Sequence, residues 1–454
     1  MIGKPIVVKI SANFSILPFK SKYESHCGAF VRHIFAMNGN YKWLFIKKRI
    51  FWLLFYSKRS TMRIEFPEGF LWGTSTSAAQ TETAFDHQWK GFVARDEFVL
   101  ERTTDHEKRR DEDITYIQQF GTVYRCGVDW SRLQRAPFAD FDEETVAEYR
   151  DFFQKLNHKG VKILLVLHHF AHPYWFEQQG GWLKDENIPA FVDYARQCIA
   201  HFGEFIFNWN TFNEPNAYAM CSYFLGTFPP QRRSYRKANR ALANLGLAHA
   251  IVYDLIKSHY PEAPVSISLN TSYFAPMNLP GRLAAWWANR WYNRRAARIF
   301  LPKMDYWGIS YYAYVPMNPF PITELDKPGR LDALNIRHDK MWGYYPEGLG
   351  IILQKLYKWQ KMPVLIVENG ICTDDSAERI ASIREYLQVL HRTMQAGVDI
   401  RGYIHWSTWD NFEWNLGPSY RFGLVHVNLF TKDRSMTEAG RFFARVTQEN
   451  AVDV

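Results

Sequence analysis

From Phe66 onward, short apolar runs alternate with segments whose apolar residues recur every three or four positions. Eight runs read as strands: FLWGTS (70–75), TVYRCGV (122–128), KILLVL (162–167), FIFNWNTF (205–212), VSISLN (265–270), YWGISYY (306–312), VLIVEN (364–369) and GYIHWST (402–408). Most are separated by enough residues for a helix. One such stretch places Val146, Tyr149, Phe153 and Leu156 on a common face, with Asp142 as cap and Gly160 as stop. Another places Ile380, Ile383, Leu387, Leu390 and Met394 in register before Gly397. Strands that are apolar throughout belong to a sheet covered on both faces. Eight βα units in succession imply an α/β fold, a single (β/α)8 TIM barrel. An open doubly wound sheet is the alternative, weakened because no strand is followed by a GxGxxG or P-loop pattern.

The chain has 454 residues, 47% of them apolar, enough for a large core without metals or disulfides. Its net charge of +9 would suggest a polyanion partner if it were spread evenly. It is not. Residues 1–61 hold eleven Lys or Arg and one acid, a net +10, so residues 62–454 carry −1. The main body offers no nucleic-acid footprint.

Residues 1–61 read as an N-terminal extension, and 62–454 as the (β/α)8 domain. WLFIKKRIFWLLFY is the most apolar part of the extension, but Lys47, Lys48 and Arg49 divide it. A membrane span needs about 20 predominantly apolar residues. The extension is a start-site artefact with the true start at Met62, a disordered tail, or a weak basic anchor. The artefact ranks first, and membrane contact is not expected. The five cysteines are scattered and form no CxxC pair, which argues against a disulfide framework or thiolate zinc site and suits a reducing, cytoplasmic setting.

The chemistry rests on strand ends. In NTFNEPN (210–216) Pro215 must stop the fourth strand, leaving Glu214 at its end. In PVLIVENG the seventh strand ends at Glu368. All C-terminal strand ends of a barrel face one pocket, so 154 residues of separation are no obstacle to proximity. Two carboxyls across a pocket suit glycoside hydrolysis, one protonated and one ionised, although paired acids also serve metal sites.

TFNEPN and VLIVENG resemble the two signature segments of glycoside hydrolase family 1, the retaining β-glycosidases. FPEGFLWGTSTSAAQTE (66–82), DHEKRRDEDI (105–114), YRCGVDWSRL (124–133), HHFAHP (168–173), GGWL (180–183), DYWGISYY (305–312) and WSTWDNFEWNLGPSYRFGLVHVN (406–428) match in order. The likeness covers 66–446. It implies a β-glucosidase-like enzyme without cofactor or metal, whose partner is a small β-glycoside or oligosaccharide. Glu214 would be the general acid/base and Glu368 the nucleophile. Arg125 and Tyr312 would hydrogen-bond Glu368 and lower its pKa. Gln80, His169, Asn213, Trp406, Glu413 and Trp414 would line the sugar subsite. His169 reads as a sugar contact rather than a metal ligand with His168 and His172, because Pro173 breaks a helical motif. HEKRRDED (106–113) reads as a solvated helical face.

The sequence departs from the family pattern at Phe170 (usually Trp), Ser310 (usually Asn) and Thr83 (usually Gly). The connection from Gln80 to Asp105 is short and lacks the family's usual Trp-containing segment, which implies a more open rim. Two rival functions are a 6-phospho-β-glycosidase and a non-catalytic glycan-binding relative. PSYRFG lacks the phosphate-binding lysine and Glu413 would repel a phosphate. Both catalytic glutamates are present, whereas non-catalytic relatives typically lose one.

Overall fold

The structure is a computed structural model that describes residues 63–83, 86–100 and 103–454. The reading of residues 1–61 lies outside the described residues. All eight expected strands form: β1 Leu71–Ser75, β2 Val123–Gly127, β3 Lys162–His168, β4 Ile206–Asn213, β5 Val265–Pro276, β6 Trp307–Asn318, β7 Val364–Asn369 and β8 Ile400–Trp406. Each pairs in parallel with its sequence neighbour, and β8 pairs with β1, so the sheet closes into a (β/α)8 barrel. A short strand, Arg63–Glu65, pairs antiparallel with Ala451–Asp453.

Most strand limits fall within two residues of the expected ones. β5 and β6 run much further. Their ladder continues from Tyr273 opposite Tyr314 to Pro276 opposite Met317, beyond the rest of the rim. Mutual pairing satisfies backbone groups that the polar and proline residues of this stretch made look like loop.

The two expected helices are Glu143–His158 and Ser376–Gln395. The Asp142 carboxylate accepts the Thr145 backbone N–H at 2.9 Å, satisfying a donor the helix leaves open. Val146, Tyr149, Phe153 and Leu156 are buried. Among the described residues no helix is long and apolar enough to cross a membrane.

Inside the barrel, Val123, Leu164, Val166, Leu365, Val367 and Ile404 pack around Tyr306 as one apolar layer. Toward the C-terminal end the interior turns polar, with Ser75, Arg125, Asn210 and Ser268 buried together. An apolar plug beneath a polar layer leaves space for chemistry only at that end.

HEKRRDED is not a solvated face. His106, Arg110 and Asp113 are buried. Asp113 accepts hydrogen bonds from Arg434 Nε at 2.5 Å and Nη2 at 3.0 Å, and pairs with His106 Nδ1 at 2.6 Å. The Arg110 guanidinium lies 4.6 Å from the Tyr149 ring centre. A buried charge persists where partners replace its water, and those partners come from distant segments that a local reading does not see.

Candidate active site

Glu214 follows β4 directly and takes left-handed backbone angles (φ 41°, ψ 56°) before Pro215 opens a short helix. This kink is uncommon for a residue with a side chain. Glu368 lies within β7, one residue from its end, opposite Ser310 of β6. The next turn demands glycine: a Cβ on Gly370 would stand 2.2 Å from the Trp406 carbonyl oxygen.

Arg125 organises the floor. Its guanidinium, fully buried, donates from Nη1 to Glu368 Oε1 at 2.5 Å and Ser75 Oγ at 2.9 Å. From Nη2 it donates to Asn213 Oδ1 at 2.6 Å and Ser268 Oγ at 2.8 Å. Tyr312 donates its hydroxyl to Glu368 Oε2 at 3.0 Å. Both oxygens of Glu368 are thereby held.

These contacts fix a proton elsewhere. Arg125 only donates, so the oxygen of the Asn213 amide must face it. The amide nitrogen then faces His169 Nε2 at 2.9 Å and donates to it. His169 must carry its proton on Nδ1, which is buried without a partner. Burial, then the charge of Arg125, holds its pKa well below the ordinary histidine range, so the ring is neutral.

The two carboxyls sit in unlike settings. Burial, and next the charge of Glu368, pushes Glu214 up to about 8. Glu214 Oε1 is buried without a hydrogen-bond partner. Burial also raises the pKa of Glu368, while the charge of Arg125 and the Tyr312 and Arg125 hydrogen bonds pull it back. The expected lowering is thus corrected. The partners act in the expected direction, but desolvation outweighs them. Of the pair, Glu214 lacks the direct cation and is the one held protonated.

His169, Asn213, Glu214, Tyr312, Glu368, Trp406, Glu413 and Trp414 line one cavity. The cavity measures about 70 Å³. The His169 ring stands 5.7 Å from Trp406 and 6.0 Å from Trp414, so the three rings form an aromatic wall. Glu413 Oε2 is buried and unpartnered, and burial, then the charges of Glu368 and Glu214, pushes its carboxyl up to about 8. Arg125 and Gln80 stand behind the wall. Gln80 donates its amide to the Phe412 carbonyl at 2.7 Å and to Asn411 at 3.2 Å, bracing the loop that carries Glu413.

Phe170, Asn270, Trp342 and Phe422 complete the lining. Asn270 and Ser268 were legible in principle: Ser266, Ser268 and Asn270 alternate along β5, the period of one strand face. Trp342 and Phe422 lie outside the barrel strands, where no periodicity marks them. The short connection after Gln80 still brings a tryptophan behind the aromatic wall. Trp89 is buried, lies tilted against Trp414 with ring centres 5.0 Å apart, and donates to the Phe170 carbonyl at 2.8 Å. Among the described residues no group of three or more His, Cys, Asp or Glu could hold a metal ion.

The family model described as "Glycosyl hydrolase family 1" matches residues 62–285 and 289–452. Beta-glucosidase A of Acetivibrio thermocellus is 26% identical over 444 residues, covering 86% of this chain and 99% of that protein. Among solved structures, a beta-glycosidase from Pyrococcus horikoshii superposes with a TM-score of 0.76 at 29% identity, covering 87% of this chain and 97% of that one. The beta-glucosidase from Thermotoga maritima in complex with deoxynojirimycin superposes at 0.78 with 25% identity, covering 86% and 100%.

Proposed function

This chain belongs to glycosyl hydrolase family 1, and we infer that it is a retaining β-glycosidase of the β-glucosidase type. Its substrates are small glycosides with a terminal non-reducing β-linked sugar. One observation carries this reading: two buried carboxyls face one cavity, Glu368 held by Arg125 and Tyr312 and Glu214 pushed up to about 8.

In the first step a Glu368 oxygen bonds to the anomeric carbon while the bond to the leaving oxygen breaks. Glu214 gives that oxygen its proton. Glu368 is now a neutral ester, so the repulsion that raised Glu214 is gone. Glu214 then takes a proton from water as the water oxygen attacks the anomeric carbon, and Glu368 departs as a carboxylate. Trp406 and Trp414 give the ring its platform. The second hydrogen of the Asn213 amide and the free Nδ1–H of His169 suit sugar hydroxyls as acceptors. Glu413 accepts from hydroxyls on the far side, with Gln80 behind it. Among the described residues that line the cavity there is no Lys or Arg to receive a phosphate at C6, which disfavours the phosphoglycosidase reading. The four described cysteines are free, which supports a reducing, cytoplasmic setting.

Azide with an activated aryl glycoside tests the assignment. In Glu214→Ala the glycosyl-enzyme forms but lacks its base, so azide rescues turnover and gives the β-glycosyl azide. In Glu368→Ala azide attacks directly and gives the α-azide. The reverse pattern would exchange the two roles.

A further inference from the structure

A second surface stands on the rim beside the site. Beyond β5 the chain forms a helix over Leu279–Ala288, continuing through Asn289–Arg295 into Ala296–Phe300. Its inner face is small. Gly281, Ala285 and Ala288 are buried, the alanines against Ala313, Val315 and Met317 of β6. A Cβ on Gly281 would lie 2.1 Å from the Met317 carbonyl oxygen, so the helix is pressed onto the extended ladder.

The outer face of such a helix is ordinarily polar. Here Leu279, Leu283 and Trp286 are 74%, 75% and 62% exposed, at four- and three-residue spacing. Trp287, also exposed, carries the patch to exposed Tyr235, with rings 5.8 Å apart. Large apolar side chains gathered on one exposed face mark an interaction surface.

The two segments that carry these side chains hold charge of one sign. Residues 232–251 hold five basic side chains and no acid; residues 279–303 hold six and none. Arg240 pairs with Asp185 and Lys303 with Asp254. The other nine make no ion pair among the described residues. The Arg290 guanidinium lies 5.7 Å from the Trp286 ring, so cation and apolar anchor are adjacent. The family match is interrupted at 286–288, on this face.

The same helix touches, from within, the short helix that follows Glu214 and the strand β5. Asn216, two residues beyond Glu214, donates to the Tyr292 carbonyl at 3.1 Å. Asn293 donates to the Ser272 carbonyl at 2.9 Å. Site and surface are thus separated by one helix at one end of the barrel.

We propose that this face docks on an anionic lipid bilayer, with Leu279, Leu283 and Trp286 in the interfacial zone and the neighbouring arginines on lipid phosphates. Trp at the headgroup level and Arg on anionic lipid are the chemistry of interfacial helices. A second copy fits less well, because a two-fold contact would press two unpaired basic faces together. Docking brings the pocket to sugars displayed on lipids, so the substrate class includes β-glycosides with a lipid aglycone. This last step rests on the glycosidase reading; the docking does not.

The test is co-sedimentation of the full chain with vesicles of phosphatidylcholine alone and of phosphatidylcholine mixed with phosphatidylserine. The wild type should bind the anionic vesicles, less at high salt. Leu283→Glu with Trp286→Glu, and separately Arg282→Glu with Arg290→Glu, should weaken binding by about tenfold or more. Hydrolysis of a soluble aryl β-glucoside should be unchanged, and that of a β-glucosyl lipid in the vesicles should fall with binding. A wild type that stays in the supernatant, or variants that bind as it does, overturn the proposal. A concentration-dependent dimer dispersed by Leu283→Glu without vesicle binding assigns the face to a second copy and overturns it too. Vesicle binding without aryl-glucoside cleavage would sink the glycosidase reading and leave the docking standing.

Discussion

Glu368→Gln keeps the shape of the proposed nucleophile and removes its charge, which should lower the pKa of Glu214 by a calculable amount. Glu214 stands at about 8 through burial first and the Glu368 charge second. Retaining pairs lie about 5.5 Å apart. At that separation and an effective dielectric of about 20, two unit charges repel by about 3 kcal/mol. With about 1.4 kcal/mol per tenfold change in proton affinity, this is a fall of about two in pKa. Glu214 should therefore titrate near 6 in the variant, from about 8 in the wild type. It should not return to an ordinary value, because burial is unchanged. The assay is a carbon-13 NMR titration of protein labelled at the glutamate carboxyl, with Glu214→Gln identifying the resonance. The same drop should follow when Glu368 is trapped as a glycosyl ester, since esterification removes the same charge. A change below about 0.5 would mean that burial alone holds the proton, and the proposed exchange of acid and base roles would lose its cause.

In the proposed mechanism Glu214 must be protonated to donate, so kcat/KM for a glycoside with a poor leaving group should fall as pH rises through about 8. Glu214→Gln should remove that limb for an activated aryl glycoside; a limb that persists assigns it to another group. Asp113→Asn should cost about 3–5 kcal/mol in urea unfolding, because it leaves the buried Arg434 guanidinium uncompensated; a loss below about 1 kcal/mol would show the network to be solvated as the sequence suggested. A chain beginning at Met62 should match the full chain in aryl-glycosidase activity and thermal midpoint, and insolubility or inactivity of that chain would make residues 1–61 structural.

How legible each part was follows from the range of the forces that fix it. The strands were legible because burial on both faces leaves a continuous apolar run, and Pro215 marks the end of one of them locally. The β5–β6 extension was not, because those residues are held by pairing across the ladder rather than by their own pattern. The glutamates were legible by position, since a barrel converts a strand end into a pocket wall. Their unlike electrostatics were only half legible. Arg125 and Tyr312 were named as partners of Glu368, yet the weight of desolvation depends on how many segments close over the carboxyl, and these include the Trp406 and Trp414 loop. The buried Asp113–Arg434 pair failed for the same reason. Its partners are 321 residues apart, so a run of alternating charges gave no sign of which member would be dehydrated. The cis peptide between Trp406 and Ser407 and the left-handed Phe170 and Trp414 lie still further from sequence, because neither is a conformation those residues choose alone. The chain thus encodes locally which strand ends face the pocket, and only collectively how dry the pocket is; dryness raises both carboxyls, and the Arg125 cation beside Glu368 decides which of them keeps its proton.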